Sequence, residues 1–261
     1  MGDLFTLKTL RAGLAELVGT FFLALAALAT PAPYTAVAVG LTLAAFVYAI
    51  GDVSGCNVNP AVTLGLVVTR RLPVAVGVLY VAAQLAGATL ARALAPAVLA
   101  RPLPRYAAAS VAGEVIGVGF LVLTVLAVST KSVPKSGSGV AIGAALLAGL
   151  LATRGVLNPA IALAMGLGVS AALWAPLAGA LVFAPLSLLY LPTSDGEPAP
   201  TADGATESPT RRETARTRPA GAARSWRAGG RPAATTGAAG ERAPRRGGTI
   251  TFTARHDGRR P

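Results

Sequence analysis

The residues best placed to do chemistry in this chain come in matched pairs. Asn59-Pro60-Ala61 recurs 99 positions on as Asn158-Pro159-Ala160, and Glu16 recurs 98 positions on as Glu114. An Asn side chain can cap a helix by accepting a backbone N–H, and its amide can donate to a passing oxygen. Proline at the next position suits a first helical turn, where its missing N–H is not needed. A carboxylate within an apolar segment is costly, so it is partnered and marks function by default. A proton relay and structural support are both open to Glu16 and Glu114. The one cysteine, Cys56, excludes an internal disulfide framework and any multi-cysteine zinc site. The one histidine, His256, leaves no material for a histidine metal cluster. No nucleophile–base pair is visible. The chain is not expected to be an enzyme, and no metal or cofactor is expected.

The elements that must carry these pairs are apolar. The 261 residues are 53% hydrophobic and 13% charged, about half the charge density of an ordinary soluble domain. That excludes a cytosolic globule and makes a polytopic membrane protein the default. Residues 17–51 carry no charge, and Pro31-Ala32-Pro33 splits them into helices near 11–29 and 34–51. Residues 72–91 and 136–153 are uncharged, and 106–130 contain only Glu114. Residues 155–194 are uncharged, broken at Asn158-Pro159 and again at Pro176. With about 20 residues needed per crossing, this predicts six spans, with two short apolar pieces left over at 59–69 and 158–168. Each piece reads as a half-helix starting at its proline, capped by its asparagine. Irregular backbone at membrane depth is tolerated only where it lines a cavity or is buried in protein. Two interrupted segments at matching places in two halves therefore point to the site.

The halves, about 7–95 and 106–190, are a repeat. Ala15-Glu16-Leu17-Val18-Gly19 recurs as Gly113-Glu114-Val115-Ile116-Gly117, and Phe22-Leu23 as Phe120-Leu121. Each half reads span, span, half-helix, span. Three spans is an odd number, so the second half must sit inverted. The half-helices then enter from opposite faces and meet at the midplane. Each N-terminus carries about half a positive charge, so the meeting point should repel cations, hydronium included. Lys8, Arg11, Arg70, Arg71, Lys131 and Lys135 fall on one side; Arg92, Arg101, Arg105 and Arg154 fall on the other. Small pairs at Gly51/Gly55, Gly113/Gly117 and Gly139/Gly143 would permit close helix crossings. Asp52 is expected at the interface without a role. The first apolar stretch runs on into a full span, so no cleaved signal peptide is expected.

Residues 191–261 are different in kind. They hold 13 of the 23 basic residues, all Arg, and no Leu, Val or Met from Thr193 onward. Trp226, Ile250 and Phe252 are the only large apolar residues there. Such a segment cannot bury enough surface to fold and is expected to be a disordered Arg/Pro/Gly-rich tail. Its arginines place both termini on the cytoplasmic side by the positive-inside rule. They suit a solvated tail or contact with anionic lipid; nucleic-acid binding is not expected.

With these motifs in place, the sequence resembles the major intrinsic protein family, the aquaporins and glycerol facilitators. The matching residues run from Ala15 to Leu23, from Ser54 to Gly65 through Asn59-Pro60-Ala61, and over Gln84-Leu85-Ala86-Gly87, with Gly113-Glu114 and the triplet at Asn158 completing the match. The resemblance covers about 7–190. It implies an all-α membrane protein of six transmembrane helices and two re-entrant half-helices, in the plasma membrane, typically a homotetramer with one pore per subunit. It implies a passive channel for water or small uncharged solutes such as glycerol or urea. Protons would be excluded at the paired triplets, as in aquaporin-type pores generally. Carbonyls of Gly55, Cys56, Asn57 and Val58, and of Arg154, Gly155, Val156 and Leu157, would line the pore on extended backbone. Glu16 and Glu114 would accept N–H bonds from the two loops.

The sequence departs from the family at one telling point. Water-selective members carry Arg directly after the second triplet, where this chain has Ile161. Counting back from the triplets maps the remaining constriction positions to Val39, Gly155 and Gly149, with Leu146 competing for the last. The expected mouth is apolar and wide, and Arg154 could swing into it or sit at the headgroups. Cys56, three positions before Asn59, could face the pore. Two other readings stay open: a secondary transporter built from inverted repeats with broken helices, and a non-conducting membrane scaffold with an Arg-rich tail.

Overall fold

The fold is given by a computed structural model that describes residues 6–107, 109–130 and 133–191. The expected tail, with His256 and Trp226, and Lys131 lie outside the described residues. The described residues form eight helices and no strand: α1 Leu7–Ala29, α2 Thr35–Ser54, α3 Pro60–Val68, α4 Val74–Leu99, α5 Val111–Ser129, α6 Lys135–Thr153, α7 Pro159–Met165 and α8 Ala171–Ser187. Five of them (α1, α2, α4, α5 and α6) are long and apolar enough to cross a membrane, and α8 is a shorter apolar helix of 17 residues. With the half-helices α3 and α7, this is the expected six-plus-two arrangement.

Boundaries depart from the uncharged runs in two places. α1 begins at Leu7 rather than near 11, because the Thr6 hydroxyl caps it by accepting the Thr9 N–H at 3.2 Å. Lys8 and Arg11 then occupy its first turns at the membrane edge. α4 continues through Arg92 and Pro96 to Leu99, whereas the uncharged run stops at 91. A charge ends an apolar run, not a helix, and Arg92 has a partner described below.

Packing follows the repeat. α1 packs on α2 and α4, and α5 packs in the same way on α6 and α8. α2 against α6 joins the halves, and each half-helix crosses over: α3 packs on α8, and α7 packs on α4. Glycines set the closeness of these crossings. A Cβ on Gly40 would lie 2.7 Å from Leu147 Cβ, and one on Gly143 would lie 2.6 Å from Ala44 Cβ, so α2 and α6 meet backbone to backbone. Gly139 likewise faces the Tyr48 ring. Gly51 serves no such crossing: a Cβ there would have only Val47 of its own helix, at 4.0 Å. Many large apolar side chains point outward, including Leu41, Val78, Phe120 and Val182. Such a surface is stable against lipid or another apolar surface and not in water.

Candidate functional site

The two Asn-Pro-Ala triplets meet inside the protein. Asn59 and Asn158 both hold extended backbone and cap their helices, the Asn59 Oδ1 accepting from the Ala61 N–H at 2.9 Å and the Asn158 Oδ1 from the Ala160 N–H at 3.0 Å. Each amide then crosses to the other half. Asn59 Nδ2 donates to the Leu157 carbonyl and Asn158 Nδ2 to the Val58 carbonyl, both at 2.9 Å. A side-chain amide carries two N–H groups. One is spent on this reciprocal tie and one remains on each asparagine. Pro60, Ala61, Pro159 and Ala160 are buried in the first turns of α3 and α7.

The segments leading into the triplets are not simply extended. Positive φ angles occur at Gly55 (90°), Cys56 (52°) and Val58 (44°) in the first, and at Arg154 (54°) and Leu157 (59°) in the second. A β-branched residue such as Val58 is strained in the left-handed region, and its surroundings hold it there. Its N–H donates to Glu16 Oε2 at 2.7 Å, and its carbonyl takes the Asn158 amide. Leu157 is held in the same way, its N–H on Glu114 Oε2 at 2.7 Å and its carbonyl on Asn59.

The buried carboxylates therefore organise the loops. Glu16 accepts from the N–H groups of Asn57 and Val58, from Ser54 Oγ at 2.6 Å and from Gln84 Nε2 at 2.8 Å. Glu114 accepts from the N–H groups of Val156 and Leu157 at 2.8 and 2.7 Å. Each Glu is followed three residues later by a glycine that makes room for the residue just before the asparagine. A Cβ on Gly19 would lie 2.7 Å from Val58 Cγ1, and one on Gly117 would lie 2.5 Å from Leu157 Cδ2. The Glu-x-x-Gly spacing thus does two jobs on one helix face: it binds the loop's N–H groups and houses its side chain.

Two cavities adjoin at Asn158. The larger, about 600 Å³, is lined by apolar side chains including Leu23, Val39, Leu146, Leu150, Ile161 and Met165, with Gly155, Val156 and Asn158 in its wall. The exposed Arg154 stands among the residues that line it. The smaller, about 10 Å³, lies between Asn59 and Asn158 and is lined also by Cys56, Asn57, Val58, Val62 and Ile142. Such a volume accommodates about one water molecule. Gly55 is exposed at the start of its loop and lines neither cavity.

Gly149 is not where counting places it. A Cβ there would lie 2.8 Å from Leu157 Cδ1 and 3.2 Å from the Gly117 carbonyl, so it faces α5 and the loop. Leu146, one turn earlier, lines both cavities instead. The two positions lie one turn apart, so the side chain that reaches the cavity is set by the rotation and depth of α6 rather than by the count from Asn158.

Several supporting groups carried no role in the sequence reading. Gln84 bridges Glu16 and the Thr63 hydroxyl, the latter at 2.9 Å. Ser54 links Glu16 to the Cys56 N–H, and the Tyr80 hydroxyl donates to the Ser54 carbonyl at 2.9 Å. Arg92 donates to the Ala164 carbonyl at 2.7 Å. The signal for Gln84 was available, since a polar group deep in an apolar helix needs a partner, whereas Arg92 is exposed and closes an uncharged run. Asp52 pairs with Lys135 at 2.6 Å, with both side chains largely exposed.

The profile of the family described as Major intrinsic protein matches residues 3–190. Aquaporin AqpM of Methanothermobacter marburgensis is 34% identical over 143 residues, 47% of this chain and 57% of that protein's length. Aquaporin TIP2-1 of Zea mays is 32% identical over 191 residues, 61% of this chain and 76% of that protein. Aquaporin NIP1-4 of Oryza sativa is 35% identical over 197 residues, 64% of this chain and 72% of that protein. The solved aquaglyceroporin from Plasmodium falciparum superposes with a TM-score of 0.58 at 22% identity, over 69% of this chain and 99% of that one. At that identity the likeness is one of fold.

Proposed function

The chain belongs to the major intrinsic protein family, and from that premise we propose that it is a passive transmembrane channel for water and other small uncharged solutes. The observation that carries this reading is the reciprocal tie of Asn59 and Asn158 around a space of about 10 Å³. Each asparagine keeps one N–H to offer the oxygen of a solute passing in single file. A water that accepts from both sides cannot pass a proton along a donor chain, and the paired helix ends oppose hydronium. The carbonyls of Cys56, Asn57, Val58, Gly155, Val156 and Leu157 serve as acceptors along the path; those of Val58 and Leu157 share their lone pairs with the asparagines.

The size filter in this reading is Val39, Leu146, Gly155 and Ile161, with Arg154 at the rim. It is apolar and wide compared with a filter that carries Arg at the Ile161 position, so glycerol-sized solutes pass with water. Glu16 and Glu114 are structural supports. The channel domain is 1–190, assembled as a homotetramer in the plasma membrane with both termini cytoplasmic, and the 191–261 tail is a solvated segment or a contact for anionic lipid.

Stopped-flow light scattering on reconstituted vesicles, with a size series of neutral osmolytes, tests the reading. Water and glycerol fluxes above those of empty vesicles are expected. Saturable uptake coupled to an ion gradient would favour a secondary transporter, and absence of flux would favour a scaffold.

A further inference from the structure

The two half-helices end differently. α3 closes its own last turn: the N–H groups of Thr69, Arg71 and Arg70 return to the carbonyls of Gly65, Leu66 and Val67, and the Thr69 hydroxyl adds a bond to Gly65 at 2.8 Å. α7 is seven residues long, and its cap stops one carbonyl short. The N–H groups of Leu167 and Gly166 return to Ala162 and Leu163 at 3.0 Å, which leaves the Ala164 carbonyl for an outside donor. Arg92 of α4 is that donor, its Nη1 lying 2.7 Å from the Ala164 oxygen. Gly166 holds φ +74°, and a Cβ on it would lie 2.7 Å from the same Nη1. The glycine thus turns the chain and leaves space for the guanidinium. A cation here also faces the carbonyl end of the helix, where its charge is favoured.

We propose that Arg92 is a positioning residue for the constriction: its bond to Ala164 fixes the depth of α7, and through it the places of Asn158 and Ile161. A helix of two turns transmits a displacement at one end to the other. Asn158 and Ile161 lie in the first turn, bound to Val58 and lining the larger cavity. The site filter is therefore held from both ends, by α5 and the opposed loop at the N-terminus and by α4 at the C-terminus. The proposal rests on the channel reading above.

The test compares full-length wild type with Arg92→Met, which fills similar space without a donor, and Arg92→Lys, which keeps a donor. Arg92→Leu stands in if the Met variant is not recovered. In vesicles, the glycerol-to-water permeability ratio is expected to rise for Met and to return toward wild type for Lys. Hydrogen exchange at the Gly166 and Leu167 amides is expected to quicken in Met and not in Lys. A Met variant with the wild-type ratio, or a Lys variant as altered as Met, overturns the proposal. If wild type conducts nothing, the channel reading fails, and unchanged exchange at Gly166 and Leu167 in the Met variant still overturns the role given to Arg92.

Discussion

Glu16 and Glu114 occupy the same place in the two halves, yet they are served unequally. Each accepts two backbone N–H groups from the loop before its asparagine. Glu16 takes two further donors, Ser54 and Gln84. In the second half, Thr153 stands where Ser54 does but donates to the Gly149 carbonyl of its own helix at 2.8 Å. Gln84 has only apolar counterparts near Val182 and Phe183. The shared pair of bonds is the one that satisfies buried main chain, for which no substitute exists at membrane depth. The side-chain donors are additions, free to differ. The first loop is consequently braced by three helices (α1, α2 and α4), and the second by two: α5 through Glu114, and α6 through the Thr153 hydroxyl, which accepts the Gly155 N–H at 3.1 Å.

The largest effect expected from this difference is on stability. Glu16→Leu leaves four donors unpartnered and should cost about 4 kcal/mol or more, whereas Glu114→Leu, leaving two, should cost about half as much. Thermal unfolding of the detergent-purified proteins reads both, and equal losses would remove the asymmetry. Next, Gly19→Ala and Gly117→Ala should each cost about 1–3 kcal/mol by overpacking against Val58 and Leu157. Here the halves should behave alike, and loss in only one variant would break the steric equivalence.

Flux separates the halves again. Ile161→Arg should suppress glycerol flux several-fold more than water flux, because it narrows the wide mouth in the second half only. Equal suppression counts against that reading of the mouth. A mercurial reagent should slow flux through wild type and spare Cys56→Ser, since the thiol lines the small cavity and the matching position in the other half is Gly155. A block that persists in the Ser variant places the reagent elsewhere. The smallest effect belongs to Asp52→Asn, which should leave the unfolding temperature unchanged because the ion pair with Lys135 is exposed.

Much of the arrangement was legible beforehand because it rests on repetition. A duplicated triplet, two carboxylates at matching offsets and an odd number of spans per half together require inversion. What stayed hidden depended on side chains reaching across elements. Arg92 looks like the end of a span in one dimension, and only the crossing of α4 over α7 reveals its partner. Gly149 and Leu146 are three residues apart on one helix, and the choice between them depends on how far α6 is rotated about its axis. The left-handed residues before each asparagine were missed because Cys56, Val58 and Leu157 have no intrinsic preference for that conformation; the carboxylates and the opposed amides impose it.

The order of elements, their apolar character and the pairing of the two asparagines were settled by the chain alone, since hydrophobic run length and proline placement act locally. Which residues face the cavity, which donors each glutamate receives and how each half-helix is anchored were settled by packing. Those contacts join positions tens of residues apart, and their geometry arises only when the helices meet.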